Sequence, residues 1–332
     1  MKPTALVLCP GRGTYQKAEF GCLRPFYHSE TLSQIDKTRR TLNLPTVSEL
    51  DGADKYLPAL HQQPANNAAL IYAAGLSQFA AISREDYQIV AVSGNSMGWY
   101  TAMSCAGVWD AALGTEVVST MAQLTAGAAG KQFIYPLLDA DWRLDPEKQA
   151  LVAAQLQQQA PDLYRSIQYG GYAVLAGTDQ AVTNAMAALP PLDERFPLLL
   201  QGHAAFHSPL MQQASLAALT KFQPQHWQQP NLPLIDGAGR IWPAGHNNLH
   251  ELQHYTFGTQ VSSCYNFSQA VQLAVKEFSP DQIILLGPGQ NLGGAVAQSL
   301  IEIGWRGLRS KQDFVDLQQS ATPFLIEAAS LI

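Results

Sequence analysis

The chain has 332 residues, of which 47% are hydrophobic and 14% charged, and it carries a formal net charge of −6 at pH 7. This length suits one large domain with a smaller inserted one. The acidic balance argues against broad nucleic-acid binding, and no apolar stretch approaches the roughly 18 residues that a membrane span needs. The four cysteines form no C-x-x-C pair, which favours reduced thiols in a cytoplasmic protein.

The first hundred residues predict a parallel β-α arrangement. A short apolar run, Ala5–Cys9, precedes a glycine-rich turn, and we interpret residues 2–9 as a first strand rather than a signal peptide. Apolar residues at helical spacing predict a helix over 66–82. The apolar run 87–92 predicts a second strand, and a helix follows Gly98.

The middle of the chain indicates an insertion. Small residues at 125–130 indicate a boundary. Residues 132–200 are then interpreted as strand, helix (146–159), strand (172–176), helix (179–189) and strand (196–200). That order suits a small ferredoxin-like α+β unit. Residues 282–286 predict a further buried parallel strand after the return to the main domain.

A glycine-flanked serine is the most informative feature of the chain. Ser96 lies in V-S-G-N-S-M-G-W-Y, a G-x-S-x-G pentapeptide between the predicted strand 87–92 and the next helix. A strand, such a serine and a helix in this order form a nucleophile elbow. Gly94 and Gly98 allow the sharp turn, and the first helix amides can stabilise an oxyanion. The pattern predicts that Ser96 is a nucleophile.

A histidine segment supplies the matching base, and here the chain resembles a known family. Residues 92–108 (VSGNSMGWYTAMSCAGV) and 205–211 (AFHSPLM, with His207) resemble the elbow and catalytic-histidine segments of malonyl-CoA:acyl-carrier-protein transacylases and polyketide-synthase acyltransferase domains. Three further segments agree in family order, namely 8–13 (LCPGRG), 63–65 (QPA) and 285–289 (LLGPG). The resemblance spans nearly the whole chain.

The resemblance implies an acyl-carrier-protein S-acyltransferase of fatty-acid or polyketide biosynthesis. Its fold class would be α/β, with an α/β-hydrolase-like core of residues 1–130 and 204–332 around a ferredoxin-like insert of residues 131–203. His207 would take the Ser96 proton during attack on an acyl-CoA thioester. The acyl group would then pass from Ser96 to the phosphopantetheine thiol of an acyl carrier protein. Acyl-CoA and carrier protein enter as substrates, and no bound cofactor or metal is implied.

The resemblance also assigns the groups around the serine–histidine pair. A backbone carbonyl, not a carboxylate, would orient the imidazole, and the matching position is Gln260 in Q-V-S-S-C-Y-N-F. The oxyanion hole would use the backbone amides of Arg12 and Met97. His203, one helical turn before His207, is interpreted as a pocket-wall or core histidine.

The resemblance implies five substrate-binding residues: Arg12, Gln63, Asn95, Met121 and Phe206. Several of them depart from the family pattern. Malonyl-selective members carry an arginine about two turns into the helix after C-A-G-V, where this chain has Met121. An unpaired carboxylate in a partly buried pocket costs about 1–3 kcal/mol. We therefore expect a neutral acyl group, unless Arg12 turns into the pocket and replaces the missing arginine.

Other substitutions near the elbow bear on the acyl group as well. Phe206 resembles the bulky residue of malonyl-type domains and would disfavour α-branched acyl groups. Asn95 stands where the family has a histidine, and Trp99 where it has a glutamate. Trp99 either narrows the acyl pocket or packs against the sheet.

A literal H-E-x-x-H occurs at 250–254, where His250 and His254 could bind zinc with Glu251 as general base of a metallopeptidase. No H-x-x-G-x-x-H continuation follows, and the preceding residues 245–248 (GHNN) are polar. We expect an ordinary surface helix without metal.

Two further functional classes stand beside acyl transfer. An acyl-carrier-protein hydrolase would use the same pair with water as acceptor, which is compatible with the missing arginine. A carrier-binding module without catalysis is disfavoured because both Ser96 and His207 are present. A basic run is formed by Arg306, Arg309 and Lys311. It is either the docking site for the carrier protein or an ordinary solvated face.

Overall fold

Two separate β-sheets organise the protein. The structure is a computed structural model that describes residues 2–332. Its strands are, in chain order, β1 (Thr4–Cys9), β2 (Gln88–Gly94), β3 (Lys131–Pro136), β4 (Leu163–Tyr169), β5 (Tyr172–Gly177), β6 (Leu198–Leu199), β7 (Leu234–Ile235), β8 (Ile241–Trp242), β9 (Tyr265–Asn266), β10 (Gln282–Leu285) and β11 (Leu325–Glu327).

Helices cover the sheets and fill the connections between strands. They are α1 (Glu30–Thr41), α2 (Val47–Asp51), α3 (Pro58–His61), α4 (Pro64–Ala81), α5 (Gly98–Cys105), α6 (Ala111–Leu124), α7 (Pro146–Gln158), α8 (Asp179–Ala188), α9 (Gln212–Lys221), α10 (Leu249–His254), α11 (Gln260–Ser262), α12 (Phe267–Phe278), α13 (Leu292–Glu302) and α14 (Lys311–Gln318). A π-helical turn, Tyr255–Thr259, joins α10 to α11. In residues 2–332, none of these helices combines the length and apolar character that crossing a membrane requires.

The first sheet has the order β11-β10-β1-β2-β7-β8. Its neighbours pair in parallel, except for the antiparallel pair β7/β8. The central strand β1 is buried from Ala5 to Cys9, as its continuous apolar sequence leads one to expect for a parallel sheet covered on both faces. The strands predicted at 2–9, 87–92 and 282–286 are confirmed as β1, β2 and β10.

Helix α4 lies at the centre of the larger core. It begins at Pro64, whose missing N–H is harmless in the first helical turn. Every residue from Asn66 to Phe79 is buried, so the helix is enclosed rather than amphipathic. The predicted helix 66–82 is confirmed, with both ends shifted by one or two residues.

The second sheet has the order β6-β3-β5-β4-β9. Strands β3 to β6 pair antiparallel, with the element order β3-α7-β4-β5-α8-β6. The predicted β-α-β-α-β order is wrong in one respect, because the additional strand β4 lies between α7 and β5. The fifth strand, β9, pairs in parallel with β4 and comes from outside residues 131–203.

The two faces of this second sheet have different neighbours. Along β3, Phe133 and Tyr135 point into a small separate core that includes Val152 of α7 and Val182 of α8. Alternate residues of a strand point to opposite faces, and accordingly Gln132 and Ile134 line a cleft on the other side. The cleft lies between the two sheets.

Candidate active site

The Ser96 turn joins β2 directly to α5. Ser96 has a φ of 55°, in the left-handed region that non-glycine residues seldom adopt. Its neighbour Gly98 packs against the end of β1, where an added Cβ would lie 2.3 Å from the carbonyl oxygen of Cys9. Glycine is therefore required at this contact, and the serine projects at the tip of the strand as the predicted elbow demands.

A short chain of hydrogen bonds connects the serine to an imidazole and a backbone carbonyl. Ser96 Oγ lies 2.6 Å from His207 Nε2, and His207 Nδ1 lies 2.6 Å from the carbonyl oxygen of Gln260. A carbonyl only accepts, so Nδ1 carries the proton and Nε2 accepts from the serine hydroxyl. Burial lowers the pKa of His207 to about 4, although the bond to Gln260 acts in the opposite direction. The imidazole is thus neutral at pH 7 and can act as a base.

Gln260 also contacts the serine through its side chain. Its Nε2 donates to the backbone oxygen of Ser96 at 3.0 Å, and Tyr100 Oη donates to its Oε1 at 3.2 Å. The residue begins α11 directly after the π-helical turn, a deviation often found at functional sites. One residue therefore holds both members of the pair.

The second sheet fixes the backbone before His207. The carbonyl oxygen of Phe206 accepts hydrogen bonds from Ser166 Oγ of β4 at 2.8 Å and from Gln132 Nε2 of β3 at 3.2 Å. His207 itself has a φ of 54°. Gln132 and Ser166 are not among the site residues expected from the sequence. The available signal was a glutamine on the inward face of an otherwise apolar strand.

The loop after β1 lies against the elbow. An added Cβ on Gly11 would be 2.8 Å from the backbone oxygen of Asn95. Arg12 and Met97 both line the cleft. In residues 2–332 neither backbone amide donates a hydrogen bond to a protein group. Both amides are available for the oxyanion role that the resemblance implies.

The cleft has a volume of about 940 Å³ and two apolar walls. One wall comes from α6 and includes Val118, Met121 and Ala122. The opposite wall comes from the second sheet and includes Ile134, Ile167 and Val174. Met121, where the family carries its carboxylate-binding arginine, is 6% exposed and leaves the α6 wall without a charge.

Arg12, His203 and Phe206 meet on one side of the cleft. The guanidinium carbon of Arg12 lies 5.1 Å from the centroid of the Phe206 ring. His203 packs edge-on to the same ring and pairs its Nδ1 with Gln132 Oε1 at 2.9 Å. Burial first, then the nearby charge of Arg12, lowers the pKa of His203 to about 3. His203 is accordingly a neutral wall residue, as expected.

Gln63 is placed differently from the sequence-based expectation, and Trp99 follows the packing alternative given for it. Gln63 precedes α4 and is exposed, and its Nε2 donates to the backbone oxygen of Ala59 in α3. Its neighbour Gln62 lines the cleft instead. The substrate-binding role expected for Gln63 is corrected accordingly. Trp99 is fully buried and donates to Thr256 Oγ1 at 3.0 Å. It packs behind the elbow and does not narrow the cleft.

The H-E-x-x-H segment forms α10. Glu251 Oε2 accepts from Arg240 Nη2 at 2.8 Å, and both side chains are about half exposed. In the described part of the chain, no three His, Cys, Asp or Glu side chains are grouped as metal ligands. The candidate general base is therefore engaged in a surface ion pair.

The predicted basic run is mixed with acidic groups. The carboxylate of Asp313 accepts a hydrogen bond from the backbone amide of Arg309. The backbone N–H of Lys311 bonds the backbone oxygen of Asp141. Arg306 lies over the ring of Phe324. The run is not a uniformly positive surface, which weakens it as a carrier-docking site.

Comparison with known proteins identifies the fold. No protein-family model and no curated protein sequence matches the chain. A malonyl-CoA:acyl-carrier-protein transacylase from Synechocystis superposes with a TM-score of 0.73 at 20% identity, covering 98% of this chain and 97% of its own. The acyltransferase domain from the second module of the salinomycin polyketide synthase gives 0.73 at 16% identity, covering 98% and 69%.

A third solved structure is a malonyl-transacylase in complex with its holo type II polyketide-synthase acyl-carrier protein. It gives a TM-score of 0.70 at 18% identity, covering 90% of this chain and 93% of that chain. The chain therefore has the fold of malonyl-CoA:acyl-carrier-protein transacylases and related acyltransferase domains, as the resemblance implied.

Proposed function

We propose that this protein is an acyltransferase that moves an acyl group from coenzyme A to an acyl carrier protein through an ester on Ser96. The observation that carries the proposal is the hydrogen-bonded chain from Ser96 Oγ through His207 to the Gln260 carbonyl, at the bottom of a cleft between two sheets. The shared fold with transacylases whose names describe malonyl transfer to a carrier protein supports the same reaction class.

The first half-reaction loads the serine. Ser96 Oγ attacks the thioester carbon while its proton passes to His207 Nε2. The amides of Arg12 and Met97 stabilise the carbonyl oxygen as it becomes negative. The tetrahedral intermediate then collapses, the carbon–sulfur bond breaks, and His207 returns the proton to the departing coenzyme A thiolate.

The second half-reaction repeats these steps in reverse order with a new thiol. The phosphopantetheine thiol of the carrier protein gives its proton to His207 and attacks the ester carbon. Ser96 leaves with the proton, and the acyl group is now a thioester on the carrier. Because one product leaves before the second substrate reacts, the kinetics are ping-pong.

The division of the chain into domains belongs to the same proposal. We assign residues 1–130 and 204–332 to a hydrolase-like core and residues 131–203 to a ferredoxin-like insert, based on the order β3-α7-β4-β5-α8-β6. In this arrangement Ser96 sits on the core sheet, and the insert, through Ser166 and Gln132, holds the residue before His207.

Intact-protein mass spectrometry tests the covalent step. Brief exposure to acetyl-CoA or malonyl-CoA should add one acyl group to the wild type and none to Ser96→Ala. His207→Ala should load about 10²–10⁴-fold more slowly, because general-base catalysis is lost. Ser262→Ala is a matched control, since its hydroxyl only bonds Gly258 within the same helical segment. Equal labelling of Ser96→Ala and wild type would overturn the proposal.

A second arm separates transfer from hydrolysis. Loaded protein is mixed with holo carrier protein, or with apo carrier protein that lacks the thiol. Transfer predicts acylated holo carrier and slow release of free acid. Release of free acid at the same fast rate with either carrier would assign the protein as a hydrolase with the same Ser96–His207 pair.

A further inference from the structure

A buried carboxylate outside the cleft holds the connection between β1 and α1. Asp51, the last residue of α2, has no exposed surface and is not part of the cleft lining. Its two oxygens accept four hydrogen bonds, from the hydroxyls of Tyr15 at 2.6 Å and Tyr27 at 3.2 Å and from the backbone amides of Gly21 and Leu23, both at 3.0 Å. All four donors belong to the same connection, which the single carboxylate therefore anchors to α2.

No cation shares this carboxylate. Within the part of the chain that the structure describes, no lysine, arginine or histidine forms an ion pair with Asp51. A buried charge is costly unless hydrogen bonds replace its hydration, and hydrogen bonds to a carboxylate are about twice as strong as those between neutral groups. Burial first, and then the bond to Asp51, raises the pKa of Tyr15, so that its hydroxyl stays protonated and donates.

The anchor itself is fixed at both ends of α2. At its start, Asp36 Oδ1 accepts from the backbone amide of Val47 at 2.9 Å. At its end, the backbone oxygen of Leu50 pairs with the buried ring nitrogen Nε2 of His61 at 2.9 Å. A carboxylate on α2 can therefore fix the position of the groups that bond to it.

Tyr15 connects this anchor to the wall of the cleft. The residue is fully buried, and its backbone oxygen accepts from Gln62 Nε2 at 2.9 Å and from Asn67 Nδ2 at 3.0 Å. Tyr15 is thus held at its hydroxyl and at its backbone, while Gln62 and Asn67 themselves line the cleft.

Thr14, the neighbour of Tyr15, bonds the peptide group that carries the Arg12 amide. Thr14 Oγ1 donates to the backbone oxygen of Gly11 at 3.1 Å. The Gly11 carbonyl and the Arg12 N–H belong to one planar trans peptide group and point in opposite directions. A bond that fixes the carbonyl oxygen therefore fixes the direction of the N–H as well.

We propose that Asp51 is a positioning residue for the oxyanion amide of Arg12 and acts through Tyr15 and Thr14. This inference rests on the proposed function, in which that amide stabilises the substrate carbonyl oxygen as it becomes negative. A preorganised donor needs no reorganisation when the charge develops. Loosening the connection therefore slows the chemical step and leaves substrate binding unchanged.

Single-turnover loading of Ser96 tests the proposal. The substrate is whichever of acetyl-CoA and malonyl-CoA loads wild type faster, and mass spectrometry gives a maximum rate and a half-saturating concentration. Asp51→Asn should lower the maximum rate about 10- to 100-fold, less than the 10²–10³-fold loss typical of a deleted oxyanion donor. The half-saturating concentration should stay within about twofold of wild type, because only the transition state has lost an interaction.

Tyr15→Phe and Tyr27→Phe form a matched pair, because each removes one hydroxyl bond to the same carboxylate. Only Tyr15 adjoins Thr14, so Tyr15→Phe should lower the maximum rate and Tyr27→Phe should leave it unchanged. Thr14→Val should repeat the loss, whereas Thr14→Ser, which keeps the hydroxyl, should retain the wild-type rate. These four variants carry the test if Asp51→Asn does not fold.

Urea unfolding of each variant separates positioning from a purely structural role. The inference is overturned if Asp51→Asn and Tyr15→Phe lose stability but load Ser96 at the wild-type maximum rate. Equal slowing by Tyr15→Phe and Tyr27→Phe would also overturn it, because the effect would then be a general loosening of the connection. If wild type forms no Ser96 adduct with either thioester, the proposed function fails and this inference with it; if wild type loads and the variants load equally fast, only this inference fails.

Discussion

Ser96 and His207 share an unusual backbone conformation. Both have φ near 55°, a region that costs an L-residue roughly 1–2 kcal/mol. Such strain persists only where the surroundings determine the conformation. Here Gln260 Nε2 holds the backbone oxygen of Ser96, and Ser166 Oγ holds the backbone oxygen just before His207. The strain is therefore held in place by contacts from two different parts of the chain.

The close packing of Gly98 against β1 predicts the effect of a single methyl group. Gly98→Ala would place a Cβ 2.3 Å from the oxygen of Cys9, so β1 and α5 must separate. We expect a loss of about 3 kcal/mol in the free energy of unfolding, as for severe overpacking, together with loss of Ser96 acylation. Urea unfolding measures the first effect and mass spectrometry the second.

Gly294→Ala is the matched control, with the opposite expected sign. Gly294 lies inside α13, and an added Cβ there meets no atom within 4 Å. Alanine is a better helix former than glycine by about 1 kcal/mol, so this variant should be slightly more stable and load acyl groups normally. Similar destabilisation of both variants would contradict the role given to the Gly98 contact.

At the scale of elements, the helical segment from α10 to α11 carries the group that orients the imidazole. Its π-helical turn inserts one residue into the helical spacing just before Gln260. The Gln260 carbonyl then faces His207, while its side chain faces Ser96 and Tyr100. Residue type matters only for the side-chain contacts, because any residue supplies the carbonyl.

Gln260→Leu isolates those side-chain contacts. It leaves the Tyr100 hydroxyl without a partner, which costs about 1–3 kcal/mol. The backbone oxygen of Ser96 loses the bond from Gln260 and keeps the bond from the Trp99 amide. We expect lower stability and about tenfold slower loading of Ser96, since the elbow is held less firmly. Tyr100→Phe removes only one of the two bonds and should lie between wild type and Gln260→Leu in both measurements. Equal loading rates in all three proteins would show that the clamp has no part in the reaction.

Local patterns predicted the long elements and Ser96, and the family resemblance supplied His207. Helices α4, α7 and α8 and strands β1, β2, β5 and β10 follow from periodicity and turn residues. Strand β4 was missed because Arg165, Ser166 and Gln168 interrupt its apolar run. Its pairing with β5 and β9 is what fixes it as a strand, and such pairing is not visible in a short window.

The rest of the site depends on contacts between distant segments. The bond from Gln132 to the Phe206 oxygen spans 74 residues, and that from Gln260 to Ser96 spans 164. The family motifs identified Ser96, His207 and Gln260 as candidates, but no motif identified Gln132 or Ser166. The choice between Gln62 and Gln63 similarly depends on the helical phase at the start of α4.

At the scale of the whole molecule, residues of both sheets line the cleft. Ser96 lies in the turn directly after β2 of the first sheet, and the backbone before His207 is bonded to the second sheet. At this junction His207 is buried and His203 is partly buried, and desolvation lowers their pKa values to about 4 and about 3. Their desolvation ties the stability of the molecule to pH.

The sign of that dependence follows from the protons bound in each state. An unfolded histidine has a pKa of about 6.5, so between pH 6.5 and about 4 the unfolded chain binds more protons than the folded one. Stability therefore falls as the pH is lowered through this window and is level above it. For each of the two histidines the expected loss between pH 7.5 and pH 5 is about 2 kcal/mol.

Glu327 at the end of β11 acts in the opposite direction. Burial raises the pKa of this half-buried carboxyl to about 7, so the folded state binds the extra proton between pH 4.5 and 7. Its contribution favours folding as the pH falls and is lost as the pH rises through about 7. Solvent screening keeps this contribution smaller than that of the enclosed histidines.

Urea unfolding at pH 7.5 and pH 5 of wild type, His203→Gln and Glu327→Gln separates these contributions. Wild type should be less stable at pH 5, because two buried histidines outweigh one half-buried carboxyl. His203→Gln should lose less stability on acidification than wild type, since one proton-linked group is gone and a glutamine can still reach Gln132. Glu327→Gln should lose more than wild type, since the opposing group is gone. If His203→Gln loses as much stability on acidification as wild type, then burial in the cleft does not lower the pKa of His203.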